Sequence, residues 1–217
     1  MHTASGHGVS SFVKTKGNEV TNDAIRALAE AHDVTGVILA GITREQWALP
    51  SPCTGWSVRD VAQHLISGNG LFLEALGSKP VTVPGDDLPE AFRCTAGLLI
   101  DAFGRPGVLE RMVEVPFGTL RGAVALQLRV TEALVHGWDL AHATGQRLDF
   151  PTATVEQALL FSRGMVGSIP AGRRPFEPPQ PAPADAPVID QLAAFLGRRV
   201  GPGSCAAGDT HDSGSAR

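Results

Sequence analysis

Residues 124–145, VALQLRVTEALVHGWDLAHATG, decide the fold, because their apolar positions repeat with the period of a helix. They predict a helix over about 121–144, which Gly145 is placed to end. Glu132 and His136 are four residues apart on this helix and therefore lie on one face. A carboxylate and an imidazole so placed can reach one metal ion from the same direction.

A metal site of this kind needs a further ligand, because catalytic zinc ions have three protein ligands and one open position. His64, in SVRDVAQHLI on a second predicted amphipathic helix, is the best candidate. The alternative is a Glu132–His136 hydrogen bond within a helical core, since short motifs of this type often occur without a metal. The apolar neighbours of His136 make a simply solvated pair less favourable.

The helical period recurs along most of the chain and predicts an all-α fold, a four-helix bundle with additional short helices at its C-terminal end. A capping-box-like sequence, Ser57-Val-Arg-Asp60, begins the second helix. Alternation over 112–117 predicts a short extended segment, and the proline-dense residues 173–187 predict an extended connection. The other predicted helices cover about 23–39, 90–103, 152–167 and 188–199.

Length and charge limit the class of protein. The chain has 217 residues, which suit one domain, and we expect that domain over 22–200 between disordered tails at 1–21 and 201–217. A net charge of −4 without a basic stripe argues against nucleic acid as a partner. No apolar run approaches the roughly 20 residues that span a bilayer. The N-terminus also has no signal-peptide pattern, so we expect a cytoplasmic protein.

The three cysteines predict neither a disulfide framework nor a cysteine-based zinc site, since they are far apart and without CxxC spacing. Cys94 lies in an apolar helix and is expected to be a buried packing residue. Cys53, just before the second helix, is interpreted as a packing residue, with a reactive thiol as the alternative. Cys205 falls in the C-terminal tail.

Several strings together resemble the DinB-like metal-binding proteins, in the actinobacterial branch of the mycothiol-dependent maleylpyruvate isomerases. The resemblance implies a four-helix bundle that binds a divalent metal, usually zinc, through His64, Glu132 and His136. The strings are AHDVTGVI (31–38), PSPCTGWSVRDVAQHL (50–65), VPFG (115–118), TEALVHGWDLAHATGQ (131–146), RPFEPP (174–179) and ADAPVIDQLAAFLGRR (184–199).

The resemblance implies an enzyme of the S-transferase or isomerase type. Such an enzyme activates a low-molecular-weight thiol, mycothiol, at the metal and directs it to a small electrophilic substrate. The isomerases carry a second C-terminal domain, whereas here we expect a proline-rich connection and one short helix after the bundle, so the substrate stays open. Alternatives are a hydrolase that uses metal-bound water and a non-catalytic metal-binding sensor or binding module. Exposed apolar faces of such bundles can pair, so a homodimer is a further expectation.

Other polar residues near the predicted ligands are weaker candidates. Asp139, three residues after His136, can orient its ring, and Asp60 can do the same for His64 unless it serves only as a cap. Arg129 is a candidate to hold a substrate or cofactor carboxylate, with an ordinary ion pair as the alternative.

The remaining histidines and two tryptophans are set apart from the predicted ligands. His142 should point away from the site, and His32 is expected to be a satisfied core residue. Trp56 and Trp138 flank the ligand helices and are expected either to wall the pocket or to pack in the core. We assign no role to Arg173 and Arg174. No side chain is assigned a catalytic role, and Arg129 and Asp139 are the candidates for one.

Overall fold

The structure, a computed structural model, describes residues 8–80, 86–116, 118–168 and 176–201, without the side chains of 8–20 and 166–168. Arg173, Arg174 and Cys205 lie outside these ranges. The elements are α1 (Gly8–Ala40), a short 3-10 turn (Gln46–Ala48), α2 (Val58–Ala75), α3 (Leu88–Phe103), β1 (Met112–Val115), β2 (Gly118–Arg121), α4 (Gly122–Thr144), α5 (Thr152–Ser168) and α6 (Val188–Phe195).

The first four helices form the predicted bundle, which confirms the all-α fold class. α4 packs against α1 and α2, and α3 packs against the same two helices. Apolar side chains from all four helices fill the centre, with Phe103 and Trp138 among the largest that are fully buried. α5 and α6 pack against each other and against α4. None of the helices in the described ranges is long and apolar enough to span a bilayer.

The ends of the two ligand-bearing helices follow the sequence prediction. At the start of α2 the Ser57 hydroxyl accepts a hydrogen bond from the Asp60 backbone N–H, and the Asp60 carboxylate accepts one from the Ser57 N–H at 2.9 Å. This capping box accounts for Asp60, which makes no hydrogen bond to His64. Gly145 ends α4 with a φ of 68°, the left-handed conformation that glycine adopts without strain.

Two elements differ from the prediction. The extended segment at 112–117 is the first strand of an antiparallel hairpin, in which Val113 pairs with Leu120. The second strand was not predicted, because its four residues gain stability from pairing rather than from their own pattern. α1 begins at Gly8 instead of near Asp23, since an established helix extends by one hydrogen bond per residue. The domain limits at 22 and 200 stay predictions.

The prediction for Cys94 was wrong, because this residue is exposed. It lies two positions after the buried Phe92, and two residues correspond to about half a turn of the helix. Apolar neighbours in sequence therefore do not place Cys94 on the buried face.

The last helix also ends earlier than expected, at Phe195, and Gly197 then turns the chain with a φ of 95°. That turn points Arg198 back into the protein.

Candidate metal centre

α2 and α4 bring the three predicted ligands together at one point. The Nε2 atom of His64 is 2.9 Å from Oε2 of Glu132, and Nε2 of His136 is 3.3 Å from the same oxygen. The ligand atoms of all three residues lie within 4.8 Å of one another. Neighbouring ligand atoms of a tetrahedral zinc ion are about 3.3 Å apart when each bond is about 2.0–2.1 Å. The donor set therefore fits a divalent metal after small side-chain shifts.

The candidate centre is open on one side. The His64 side chain is 38% exposed and Glu132 19% exposed, whereas His136 is only 5% exposed. Trp56 covers part of the site, with its ring centroid 4.8 Å from that of His64 and stacked on His136 at 5.9 Å. A small molecule can thus approach from the His64 side, while His136 is fixed from behind.

Asp139 orients the buried histidine, as its position three residues after His136 indicated. Its Oδ2 atom is 2.9 Å from Nδ1 of His136. This contact assigns one ring proton: Nδ1–H donates to Asp139, which leaves Nε2 as the atom that faces Glu132. A carboxylate in this position is the usual partner of a metal-binding histidine.

Arg198 completes the arrangement and was missed by the sequence analysis. Its Nε and Nη2 atoms donate to the two Asp139 oxygens at 3.1 and 2.7 Å, and its Nη1 donates to the Leu196 carbonyl at 2.9 Å. Arg198 is 59 residues from Asp139 in sequence. No local pattern connects two positions so far apart. The only signal in the sequence was a glycine–arginine pair just after the last helix.

The ionisable groups of the site shift one another's pKa values. Burial alone would raise the pKa of Glu132, but hydrogen bonds from His136 and His64 outweigh it and hold that pKa well below its usual range. Burial lowers the pKa of His136, whereas the Asp139 and Glu132 carboxylates raise it. The carboxylates outweigh burial, so the pKa of His136 is raised overall. Without a metal, a proton on His136 therefore supplies the positive charge that a bound cation would supply.

Cys53 also lies close to His136. Its sulfur is within 4.8 Å of ligand atoms of His136 and Asp139. Burial, together with the nearby carboxylates, raises the pKa of the half-buried Cys53 thiol, although Arg198 opposes this shift. A raised pKa favours the packing interpretation over a reactive thiolate.

Three other residues from the sequence analysis lie away from the candidate centre. Trp138 is a core residue whose Nε1–H donates to Asp190 at 2.7 Å. His142 stacks on Trp138 and points away from the ligands, as expected. His32 is in the core, but neither of its ring nitrogens has a hydrogen-bond partner among the described residues, so the expectation of a satisfied histidine was wrong.

Arg129 lies one turn before Glu132 and is only 2% exposed. Its Nη2 donates to the Asn69 side chain at 2.9 Å and to the Leu65 carbonyl at 3.4 Å. Within the described part of the chain it has no carboxylate within ion-pair distance, so the ordinary ion pair is wrong. Its charge nevertheless helps to lower the pKa of Glu132.

Comparison with known proteins assigns the chain to a family. The profile of the family described as mycothiol maleylpyruvate isomerase N-terminal domain matches residues 28–97, which include His64. Two uncharacterised proteins from two strains of Mycobacterium tuberculosis are each 35% identical over 184 residues, which are 82% of this chain and 99% of theirs. The chain belongs to the mycothiol-dependent maleylpyruvate isomerase-like branch of the DinB-like proteins, as its sequence predicted.

A solved structure, that of a mutant of the mycothiol-dependent maleylpyruvate isomerase, is also similar to this chain. The TM-score is 0.47 and the sequence identity 16%. The likeness covers 63% of this chain and 66% of that one, just under two thirds of its length.

Proposed function

We propose that this protein is a divalent-metal-dependent enzyme that activates a low-molecular-weight thiol, mycothiol, for attack on a small electrophile. One observation carries the proposal: two imidazole nitrogens and one carboxylate oxygen converge at a partly exposed point, with a buried carboxylate behind one imidazole. Two histidines and one acid are a known ligand set of catalytic zinc. Zinc is therefore the metal we expect.

A divalent ion held by His64, Glu132 and His136 would lower the pKa of a bound thiol or water molecule. The side chains do the remaining work. Glu132 contributes the one negative charge of the ligand set, and Asp139 keeps the Nε2 lone pair of His136 aimed at the site. Trp56 limits the access of water and presents a flat apolar surface to a ligand.

The geometry of the ligands permits either a thiol or water at the metal. Family membership favours the thiol, because the description of the matching family names mycothiol. A metal held by these residues would stabilise a thiolate once the thiol proton has passed to solvent, and that thiolate would add to an electrophilic carbon of the substrate. Departure of a substrate leaving group would give S-transfer, whereas expulsion of the same thiolate would give isomerisation. The same ligands holding water would serve a hydrolase. Thiol binding at the metal is thus the property that separates the two activities.

Cobalt substitution tests the proposal, since a thiolate bound to Co²⁺ gives an intense near-ultraviolet charge-transfer band. We expect mycothiol to produce this band in the Co²⁺-loaded protein. S-methyl mycothiol, which has no thiol proton to lose, should not produce it. A Co²⁺-loaded protein that shows no band at saturating mycothiol would contradict thiol activation and favour the hydrolase.

A further inference from the structure

The Arg129 guanidinium is a buried cation with no carboxylate within ion-pair distance among the described residues, although the Glu132 charge acts on it and its Cζ lies 5.5 Å from the centroid of the Phe72 ring. Only its Nη2 atom makes hydrogen bonds, to Asn69 and to the Leu65 carbonyl. Nε is fully buried and has no partner, and Nη1 has none within the described residues. Buried arginines are nearly always paired, because an uncompensated charge is costly away from water. The Nη1 donor of Arg129 therefore stays available to a further negative group.

His32 adds a second open polar group to the same interior. It is 2% exposed, its ring contacts Phe92 edge-on at 5.3 Å, and both of its nitrogens are unpartnered in the described structure. Burial and the nearby charge of Arg129 lower the pKa of His32 to about 3, so the imidazole stays neutral. Arg129, and not His32, therefore carries the positive charge in this part of the interior.

Gly68 lies directly over the Arg129 guanidinium. It is partly exposed and lies one turn after His64 on α2. A Cβ atom at residue 68 would lie 2.6 Å from Nη1 of Arg129 and 3.1 Å from its Cζ. The absence of a side chain at Gly68 therefore leaves Nη1 directly beneath a surface position. Glycine is otherwise unfavourable inside a helix, so its presence here has a structural use.

We propose that Gly68 and Arg129 form a carboxylate-binding subsite beside the metal centre, in which Nη1–H donates to one carboxylate oxygen of a small acid. A guanidinium matches the planar, anionic shape of a carboxylate. Gly68 follows His64 by four residues and Arg129 precedes Glu132 by three, so each lies one helical turn, about 5 Å, from a ligand along its helix. The acid is therefore short, with its reactive carbon a few bonds from the carboxylate.

This assignment deepens the proposed function and rests on it only for the role of the acid as substrate. Binding itself is tested with acetate on the metal-free full-length protein, where no metal can attract the anion. Acetate is titrated against chloride at constant ionic strength, and the shift in unfolding temperature is recorded. We expect a saturable increase for the wild type.

The decisive variants are Gly68→Ala and its matched control Gly70→Ala. Residue 70 lies on the same helix, and a Cβ atom there would meet nothing within 4 Å. We expect Gly70→Ala to bind acetate as the wild type does and Gly68→Ala to bind it at least about tenfold more weakly, the usual effect of losing a charge-assisted hydrogen bond. Arg129→Met, which removes the charge but keeps a long apolar side chain, should also lose binding.

The outcomes separate this subsite from the metal centre. Acetate binding that is equal in Gly68→Ala and Gly70→Ala, or absent from the metal-free wild type, overturns the subsite. Acetate that binds only the zinc-loaded protein and does so in both variants is held by the metal, which overturns the subsite and leaves the proposed function intact. Gly68-dependent acetate binding in a protein that takes up no zinc supports the subsite and contradicts the metal-dependent function.

Discussion

Arg198 and Asp139 form a buried ion pair with two contacts, Nε to Oδ1 at 3.1 Å and Nη2 to Oδ2 at 2.7 Å. The same carboxylate accepts the Nδ1–H of His136. The turn that follows the last helix is therefore connected through one carboxylate to the candidate metal centre. Hydrogen bonds from His136 and Arg198 outweigh burial and lower the pKa of Asp139, so it is an anion at neutral pH.

Asp139→Asn should weaken zinc binding roughly 10- to 100-fold, the usual effect of losing the carboxylate behind a metal-binding histidine. Competition against a chromophoric chelator measures this affinity. Asp149→Asn, at an exposed position just beyond the same helix, is the matched control and should bind zinc normally. Equal zinc affinity in the two variants would show that Asp139 does not act on the metal centre.

Arg198→Met should lower the free energy of unfolding by about 3 kcal/mol, because it leaves the Asp139 carboxylate buried with one partner fewer. The neighbouring Arg199 is exposed, and Arg199→Met should change that free energy by less than about 0.5 kcal/mol. Urea unfolding measures both values. A cost for Arg198→Met as small as that of its neighbour would mean that the ion pair contributes little.

The metal-free protein should become less stable as the pH rises above about 6.5. The Asp139 and Glu132 carboxylates raise the pKa of His136 above that of the unfolded chain. Its protonated form thus contributes stability that is complete below the unfolded pKa and is lost as pH rises through the folded one. Both carboxylates have lowered pKa values and stay ionised over this range.

Urea unfolding in the presence of a chelator, over a series of pH values, measures this loss. His136→Gln should abolish it, whereas His142→Gln should keep it. If all three proteins show the same dependence above pH 6.5, His136 is not the group responsible.

His32 should make the fold sensitive to acid. Burial and Arg129 lower the pKa of His32 to about 3. Between about pH 3 and pH 6.5, His32 is therefore protonated in the unfolded chain but neutral in the folded one. Stability from the neutral form is therefore lost as pH falls. We expect His32→Leu to gain up to about 3 kcal/mol relative to wild type between neutral pH and about pH 4, measured by urea unfolding. A constant difference across that range would contradict a neutral buried His32.

The helical elements were predictable because they depend on local pattern. The Ser57–Asp60 capping box and the Gly145 helix end were both read correctly from a few neighbouring residues. The i,i+4 spacing likewise placed Glu132 and His136 on one face. The approach of His64 from α2 is a non-local contact, and the family resemblance, not the spacing, implied it.

Contacts without a periodic relation were beyond the sequence analysis. Arg198 reaches Asp139 only because Gly197 reverses the chain after α6, and no pattern announces that turn. The missing partners of Nε of Arg129 and of both His32 ring nitrogens were not predicted either, since the sequence shows which residues are polar but not which hydrogen bonds they lack. In each of these cases tertiary packing rather than local preference sets the structure.

Metal content tests the central claim most directly, namely that His64, Glu132 and His136 hold one divalent ion. We would measure it by elemental analysis of the purified, zinc-reconstituted wild type, the His64→Ala/His136→Ala variant and the control His142→Ala. The account predicts about one ion per chain in the wild type and the control, and almost none in the double variant. A wild type that holds no metal after reconstitution, or a double variant that holds as much as the wild type, would contradict it.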